Sequence, residues 1–257
     1  MSFANKTALI TGGNGGIGFA AARLLIAQGA RVAITGRDQK KLDEAAAELG
    51  PSALPIRADI NDPAAIDAVM KTIADTFGKL DIVFANAGVS GATPVGETTA
   101  EKFEAIMRTN VTSVFLTVQA AVPLMGEGGA IVLNGSVMRQ LGAPGSSAYS
   151  ASKAAISGMA RVLASELVTR GIRVNTVIPG GTRTSIWTRG DREGATLDAT
   201  EAALSPMIPM NRFALADEVA QAAVFLASDA ASGMTAAEIV VDGGNTGAPM
   251  GAPAFRR

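Results

Sequence analysis

The chain of 257 residues contains no cysteine and no histidine, and only one tyrosine and one tryptophan. Without cysteine there are no disulfides and no thiol nucleophile. Without histidine as well, a zinc site loses its usual ligands and only hard-ion sites built from oxygen remain, so no metal site is expected. The imidazole that most often serves as general acid is missing too. A catalytic proton must come from a carboxylate, a lysine, a hydroxyl or the single phenol. Neither sign of charge is in excess: 22 Lys and Arg against 23 Asp and Glu give a formal charge of −1. No global field would draw in nucleic acid or an anionic membrane, and neither is expected as a partner. The start, Met1 to Lys6, lacks a charged region followed by an apolar core, and no uncharged apolar run reaches spanning length. The chain therefore reads as cytoplasmic.

What is present is a repeated alternation. Short runs rich in Val and Ile, at 7–11, 31–35, 53–58, 81–85, 130–134, 172–178 and 238–241, are separated by Ala-rich amphipathic stretches. Helices are predicted near 18–28, 39–49, 63–77, 100–125, 147–169 and 216–228. This pattern predicts an α/β fold: one Rossmann-type, doubly wound domain over 1–257, with a seven-stranded parallel sheet covered by helices on both faces. The stretch 181–215 is too long for an ordinary connection and reads as a substrate lid. The tail 245–257, rich in Gly, Pro and Ala, is expected to be disordered or to cross to a neighbouring subunit.

Directly after the first predicted strand comes Thr11-Gly12-Gly13-Asn14-Gly15-Gly16-Ile17-Gly18, opening a helix. Glycines let backbone N–H groups approach a pyrophosphate over the positive helix N-terminus. Two registers fit: Gly13, Gly15 and Gly18 match the general G-x-G-x-x-G, while Gly12, Gly16 and Gly18 match a G-x-x-x-G-x-G variant. Asp59 after the third strand and Asn86-Ala87-Gly88 after the fourth fall at the same carboxyl edge of the sheet. At the end of the second strand stands Thr35-Gly36-Arg37-Asp38. Arg37 could pair with the 2′-phosphate of NADP, whereas Asp38 lies about twenty residues beyond the glycines, the spacing of a ribose-binding acid. Asp38 also suits the N-cap of the helix that follows. NADP(H) is favoured over NAD(H), on Arg37.

Tyr149 stands four residues before Lys153, which on a helix places phenol and ammonium on one face. The cation favours the phenolate and moves its pKa down. The fifth strand ends in Asn134-Gly135-Ser136, delivering a serine hydroxyl to the same edge. Taken together, Thr11 to Gly18, Asn86-Ala87-Gly88, Asn110, Ser136, Tyr149, Lys153 and Pro179-Gly180 resemble the classical short-chain dehydrogenase/reductase family, from about Thr7 to Gly244.

That resemblance implies a catalytic set of Asn110, Ser136, Tyr149 and Lys153. Tyr149 would give a proton to a carbonyl oxygen, or take it from an alcohol, and Ser136 would hydrogen-bond the same oxygen. Lys153 would bind the nicotinamide ribose, and Asn110 would hold a water linking Lys153 to solvent. The cofactor would be lined by Gly12, Asn14, Gly15, Gly16, Ile17, Gly18, Arg37, Asp59, Ile60, Asn86, Ala87 and Gly88. Tyr149, Lys153, Pro179, Gly180, Thr182 and Thr184 would complete its site. Three positions depart from the family pattern. Ala85 replaces a common Asn, Gly15 stands where many NADP-dependent members carry a base, and Thr182 replaces Ile or Val.

Ser136, Met138, Leu141 and Trp187 are the candidate substrate residues, with Val137, Ile186 and Met207 in the same lining and Arg139 and Gln140 as polar contacts. Trp187 could equally anchor the lid to the core. The largely apolar lining favours a ketone with a hydrophobic body. The expectation is an NADP-dependent carbonyl reductase or secondary alcohol dehydrogenase. The alternatives are an NAD-preferring polyol or sugar dehydrogenase and a non-catalytic NADP-binding regulator. The resemblance also implies a homotetramer, with Val114, Leu116, Val118, Val122, Ala155, Met159, Val162 and Leu163 offering apolar area on the pairing helices.

Overall fold

A chain whose apolar runs alternate with amphipathic stretches must pair its strands in parallel and bury both sheet faces under helices. In the computed structural model, which describes residues 2–188 and 194–256, it does so. The strands are β1 (Thr7–Ile10), β2 (Arg31–Gly36), β3 (Ala53–Arg57), β4 (Leu80–Ala85), β5 (Met125–Asn134), β6 (Arg173–Pro179) and β7 (Glu238–Val241). They form one parallel sheet in the order β3-β2-β1-β4-β5-β6-β7. The predicted doubly wound Rossmann-type sheet is borne out. Its order reverses between β1 and β4, and the carboxyl ends that flank this point form the crevice where ligands bind in such sheets.

Eight helices accompany it among the described residues, six of them on its faces: α1 (Gly16–Ala27), α2 (Gln39–Leu49), α3 (Pro63–Phe77), α4 (Ala100–Met107), α5 (Ser113–Ala121), α6 (Ser147–Leu167), α7 (Leu197–Leu204) and α8 (Ala216–Ala227). One face of the sheet packs against α1, α2 and α8 through residues such as Leu25, Leu42 and Val224. The other packs against α3, α5 and α6 through Ile73, Val118 and Ile156. Alternate residues of β5 go to opposite sides, Ala130 and Val132 to the first core and Ile131 and Leu133 to the second. Helix starts follow their caps: Asp38 accepts from the Lys41 N–H, and Asp62, with Pro63 next, accepts from the Ala64 N–H. No helix of the described residues is long and apolar enough to cross a membrane.

Three stretches differ from expectation. The helix predicted over 100–125 is broken. Residues Arg108–Thr112 form a π turn, where the Ser113 hydroxyl donates to the Thr109 carbonyl and takes up part of its acceptor capacity. Pro123 then closes the segment and β5 begins at Met125, ahead of the predicted 130. The stretch 180–215 contains α7, which Thr196 caps through the Ala199 N–H. Residues 189–193 of that stretch lie outside the described residues.

Contrary to the expectation of disorder, the tail through Arg256 is folded against its own chain. Asp242 accepts from the Gly244 and Thr246 N–H groups and from the Thr246 hydroxyl, which turns the chain back. Arg256 donates to the Pro209 carbonyl at 2.9 Å, and Ala252 is fully buried. Composition suggested a loose tail, but one acid satisfying three donors outweighs it.

Candidate active site

The loop after β1 shows which glycines are constrained. Gly12 and Gly16 have φ of +65° and +54°, the left-handed region that side chains disfavour. A Cβ on Gly18 would stand 2.5 Å from Asn86 Nδ2 and 2.6 Å from the Gly12 carbonyl oxygen. The structure thus uses the Gly12, Gly16, Gly18 register. Gly13 is needed for packing on Ile34, and Gly15 faces open space. At the start of α1 no side chain caps the helix and no acid stands in the first turn, so the N–H groups there are unclaimed by side chains. This cradle fits a pyrophosphate.

Asn86 ties the loop to the middle of the sheet. Its amide donates to the carbonyls of Thr11 and Gly12 and accepts from Asn134 Nδ2 at 3.0 Å. The Thr11 hydroxyl in turn accepts from the Asn86 and Ala87 N–H groups, both at 3.0 Å. Neither the Thr11 hydroxyl nor the Asn134 amide was singled out from sequence. Both are short polar side chains at strand ends, and no periodic pattern marks such positions.

At the adenosine end Arg37 is exposed, and its guanidinium makes no hydrogen bond or ion pair with the described residues. Arg57, paired with Gly36 across β2 and β3, donates from Nε to the Arg37 carbonyl at 3.2 Å. The Asn14 amide lies against Gly36, where a Cβ would be 2.7 Å from Nδ2. Asp38 is occupied as the cap of α2. Exposed Asp59 accepts from the Asn61 N–H, with half-buried Ile60 beside it.

At the chemical end, Ser136 follows β5 and opens the 3-10 turn Val137–Arg139, its Oγ accepting from the Met138 N–H at 3.2 Å. Tyr149 and Lys153 sit on α6, and Lys153 Nζ is 5.7 Å from the Tyr149 ring centroid. Lys153 is buried and donates from Nζ to the Asn134 carbonyl at 2.8 Å. Burial pushes its pKa down to about 8. Asn110, buried in the π turn, accepts from the Val89 N–H and donates to the Val89 carbonyl and to Ser152 Oγ. Both of its amide hydrogens and one oxygen lone pair are thus committed, which leaves a single Oδ1 lone pair for a water. A Cβ on Gly88 would meet Asn110 Oδ1 at 3.1 Å and Lys153 Nζ at 3.7 Å, so both groups converge on that glycine.

The segment after β6 returns over this edge. Thr184 reaches the phosphate loop, its Cγ2 standing 3.1 Å from where a Gly16 Cβ would be. Gly180 lies against the Asp242 backbone. Thr182 is buried and its hydroxyl donates to the Gly180 carbonyl. Trp187 donates its indole N–H to the Thr182 carbonyl and stacks at 5.1 Å on buried Phe213, as an anchor would. Arg183 pairs with Glu201 and Asp198, and Glu201 also accepts from the Phe213 N–H, which clamps α7 to this segment. Met138 and Leu141 are half-buried near Ser136, while Val137 is buried and Met207 about half exposed. Arg139 pairs with Glu238 on β7, which also accepts from Ser157, and it donates to the Gln140 side-chain carbonyl.

A parallel sheet with this phosphate cradle at its switch point and a buried lysine beside a tyrosine defines a nicotinamide-nucleotide oxidoreductase. Residues 12–246 match the family model described as Enoyl-(Acyl carrier protein) reductase. The chain is 43% identical to oxidoreductase asL5 of Sarocladium schorii, with 93% of this chain and 95% of that one covered. It is 39% identical to a 3alpha-hydroxysteroid dehydrogenase of Mediterraneibacter gnavus, covering 95% and 98%. A short-chain type dehydrogenase/reductase from Mycobacterium marinum superposes with a TM-score of 0.88 at 35% identity, covering 96% and 97%. The chain belongs to the short-chain dehydrogenase/reductase family, whose members use NAD(H) or NADP(H).

Proposed function

We propose that the protein is an NADP-dependent carbonyl reductase or secondary alcohol dehydrogenase with Tyr149 as general acid and base. The observation that carries this reading is the buried Lys153 beside the only tyrosine, on the same sheet edge as the phosphate cradle. When bound, the nicotinamide supplies or accepts the hydride. Tyr149 gives the carbonyl oxygen its proton in reduction and removes it from the alcohol in oxidation. Ser136, its hydroxyl oriented by the Met138 N–H, donates to the same oxygen. Lys153 holds ribose hydroxyls and keeps positive charge beside the phenol. Asn110 fixes the Gly88–Val89 backbone against α6, and its remaining oxygen lone pair serves a water that passes protons to solvent.

The preference for NADP rests on Arg37, whose guanidinium makes no ion pair with the described residues and is reinforced by Arg57, while the adjacent acid, Asp38, is occupied as a cap. The segment 181–215 acts as the lid, with Trp187 as its anchor. Half-buried Met138 and Leu141 suit a ketone with a hydrophobic body, and the similarity to a hydroxysteroid dehydrogenase supports that direction. The open side of Gly15, which carries no base, favours a second reading as an NAD-preferring polyol or sugar dehydrogenase. A spectrophotometric screen of ketones, secondary alcohols and polyols with both cofactors decides between them. Faster turnover of polyols with NAD would overturn the first reading.

A cytoplasmic homotetramer is part of the same proposal. Val114, Val118 and Leu163 belong to the monomer's core, so the area available for pairing comes instead from exposed Phe115 and Val162 and from Val240 on the edge strand β7.

A further inference from the structure

The helix that carries Tyr149 and Lys153 has no cap of its own. Ser146, at the N-cap position, makes no side-chain hydrogen bond to the first turn. The missing acceptor comes from 55 residues earlier in the chain. Thr93, in the loop after β4 and only 1% exposed, accepts the Ala148 N–H on its Oγ1 at 3.1 Å. The Ser147 hydroxyl lies 2.8 Å from the Thr93 carbonyl oxygen and 3.0 Å from its hydroxyl. The Thr93 N–H donates to the Gly145 carbonyl at 2.7 Å, and residues 93 and 146 form an isolated parallel bridge. Ala148 immediately precedes Tyr149. The other end of the same loop is fixed by Asn110, which holds both the N–H and the carbonyl of Val89, while the Ser90 hydroxyl reaches the Ile186 carbonyl.

We propose that Thr93 is a positioning residue: it caps the catalytic helix from outside and holds Tyr149 at the height at which Ser136 and Lys153 can work with it. The first turn of a helix frays when its N–H groups lack acceptors, and a phenol on that turn moves with it. With Thr93 in place, the loop 89–93, fixed by Asn110 at one end and by the start of α6 at the other, and the general acid behave as one body.

This inference rests on the proposed role of Tyr149, and its test separates the two. Thr93→Val keeps the shape of the side chain but removes the acceptor, whereas Thr93→Ser retains it. The valine variant is expected to lose about tenfold to a hundredfold in kcat, the scale of a misplaced reacting group, with cofactor Kd within about twofold of wild type. The ultraviolet titration of Tyr149, the chain's only tyrosine, shifts upward in the valine variant and returns in the serine variant. A purely structural Thr93 would lower the melting temperature while kcat per folded enzyme and the tyrosine titration stay unchanged, and that result overturns the proposal. If Thr93→Val does not fold, Ser147→Ala removes one of the contacts and should shift kcat and titration in the same direction by a smaller factor; no shift overturns it equally. A phenol titration that responds to Thr93 in an enzyme whose Tyr149→Phe variant still turns over would leave the positioning intact and refute the acid role instead.

Discussion

The Lys153 ammonium lies 5.7 Å from the centre of the Tyr149 ring while donating to the Asn134 carbonyl, so one cation is shared between the end of a strand and the only phenol in the chain. Tyr149→Phe removes the hydroxyl and leaves that packing in place. Turnover should fall by about 10²-fold to 10⁴-fold, the usual contribution of a positioned proton donor, with cofactor Kd unchanged within about twofold. Stopped-flow turnover and cofactor fluorescence titration measure the two quantities. A Phe variant with more than about a tenth of wild-type turnover would remove Tyr149 from the mechanism.

Burial lowers the Lys153 pKa from 10.5 to about 8. Between those values the unfolded chain binds more protons than the folded one, so stability rises as pH increases through that window and is flat below it. Comparison with Lys153→Met cancels the titration of every other group. The stability of wild type minus variant should grow by on the order of 2 kcal/mol from about pH 8 to about pH 10. Urea midpoints at a series of pH values check it, and a difference that stays level or declines contradicts it.

Arg37→Asp should weaken NADPH binding far more than NADH binding, by at least about tenfold in the ratio of the two dissociation constants. Equal losses for both cofactors would mean that Arg37 does not read the 2′-phosphate. Gly15 faces open space, so Gly15→Arg can be accommodated and is expected to tighten NADPH while leaving NADH unchanged. Isothermal titration with both cofactors measures all four combinations.

The phosphate loop offers a contrast within three residues. Gly18→Ala drives a Cβ into the Asn86 amide and the Gly12 carbonyl, whereas Gly15→Ala meets nothing within 4 Å and keeps an extended backbone with φ of 175°. The first should weaken either cofactor by more than about tenfold, and the second by less than about threefold. Comparable losses in the two variants would show that the crowding around Gly18 plays no special part.

The sheet could be read from the sequence because a strand buried on both faces must be apolar at every position, and such runs are conspicuous among Ala-rich helices. Tyr149, Lys153 and Ser136 were legible because their spacing is local or lies at strand ends. What escaped depends on contacts between distant residues. The π turn around Asn110 follows from the Ser113 hydroxyl and from the grip of Asn110 on Val89, neither of which leaves a periodic trace. Helix α7 is short, and its clamp of Arg183, Glu201 and Phe213 exists only once the chain has folded back. The choice between glycine registers likewise needed the folded loop and Asn86 in place, since the Asn86 amide and the Gly12 carbonyl together crowd Gly18.

Asn86 carries a consequence for any redesign of this enzyme. Its amide touches the phosphate loop on one side and Asn134 on the other, and the Asn134 carbonyl holds the lysine. Under the roles proposed for the phosphate loop and Lys153, cofactor grip and proton chemistry therefore have a common member and are not independent dials. Substitutions made at the two ends to change cofactor preference and rate should combine non-additively, and a double-mutant cycle between Gly12 and Asn134 would register the coupling even though each residue lies at a different end of the site.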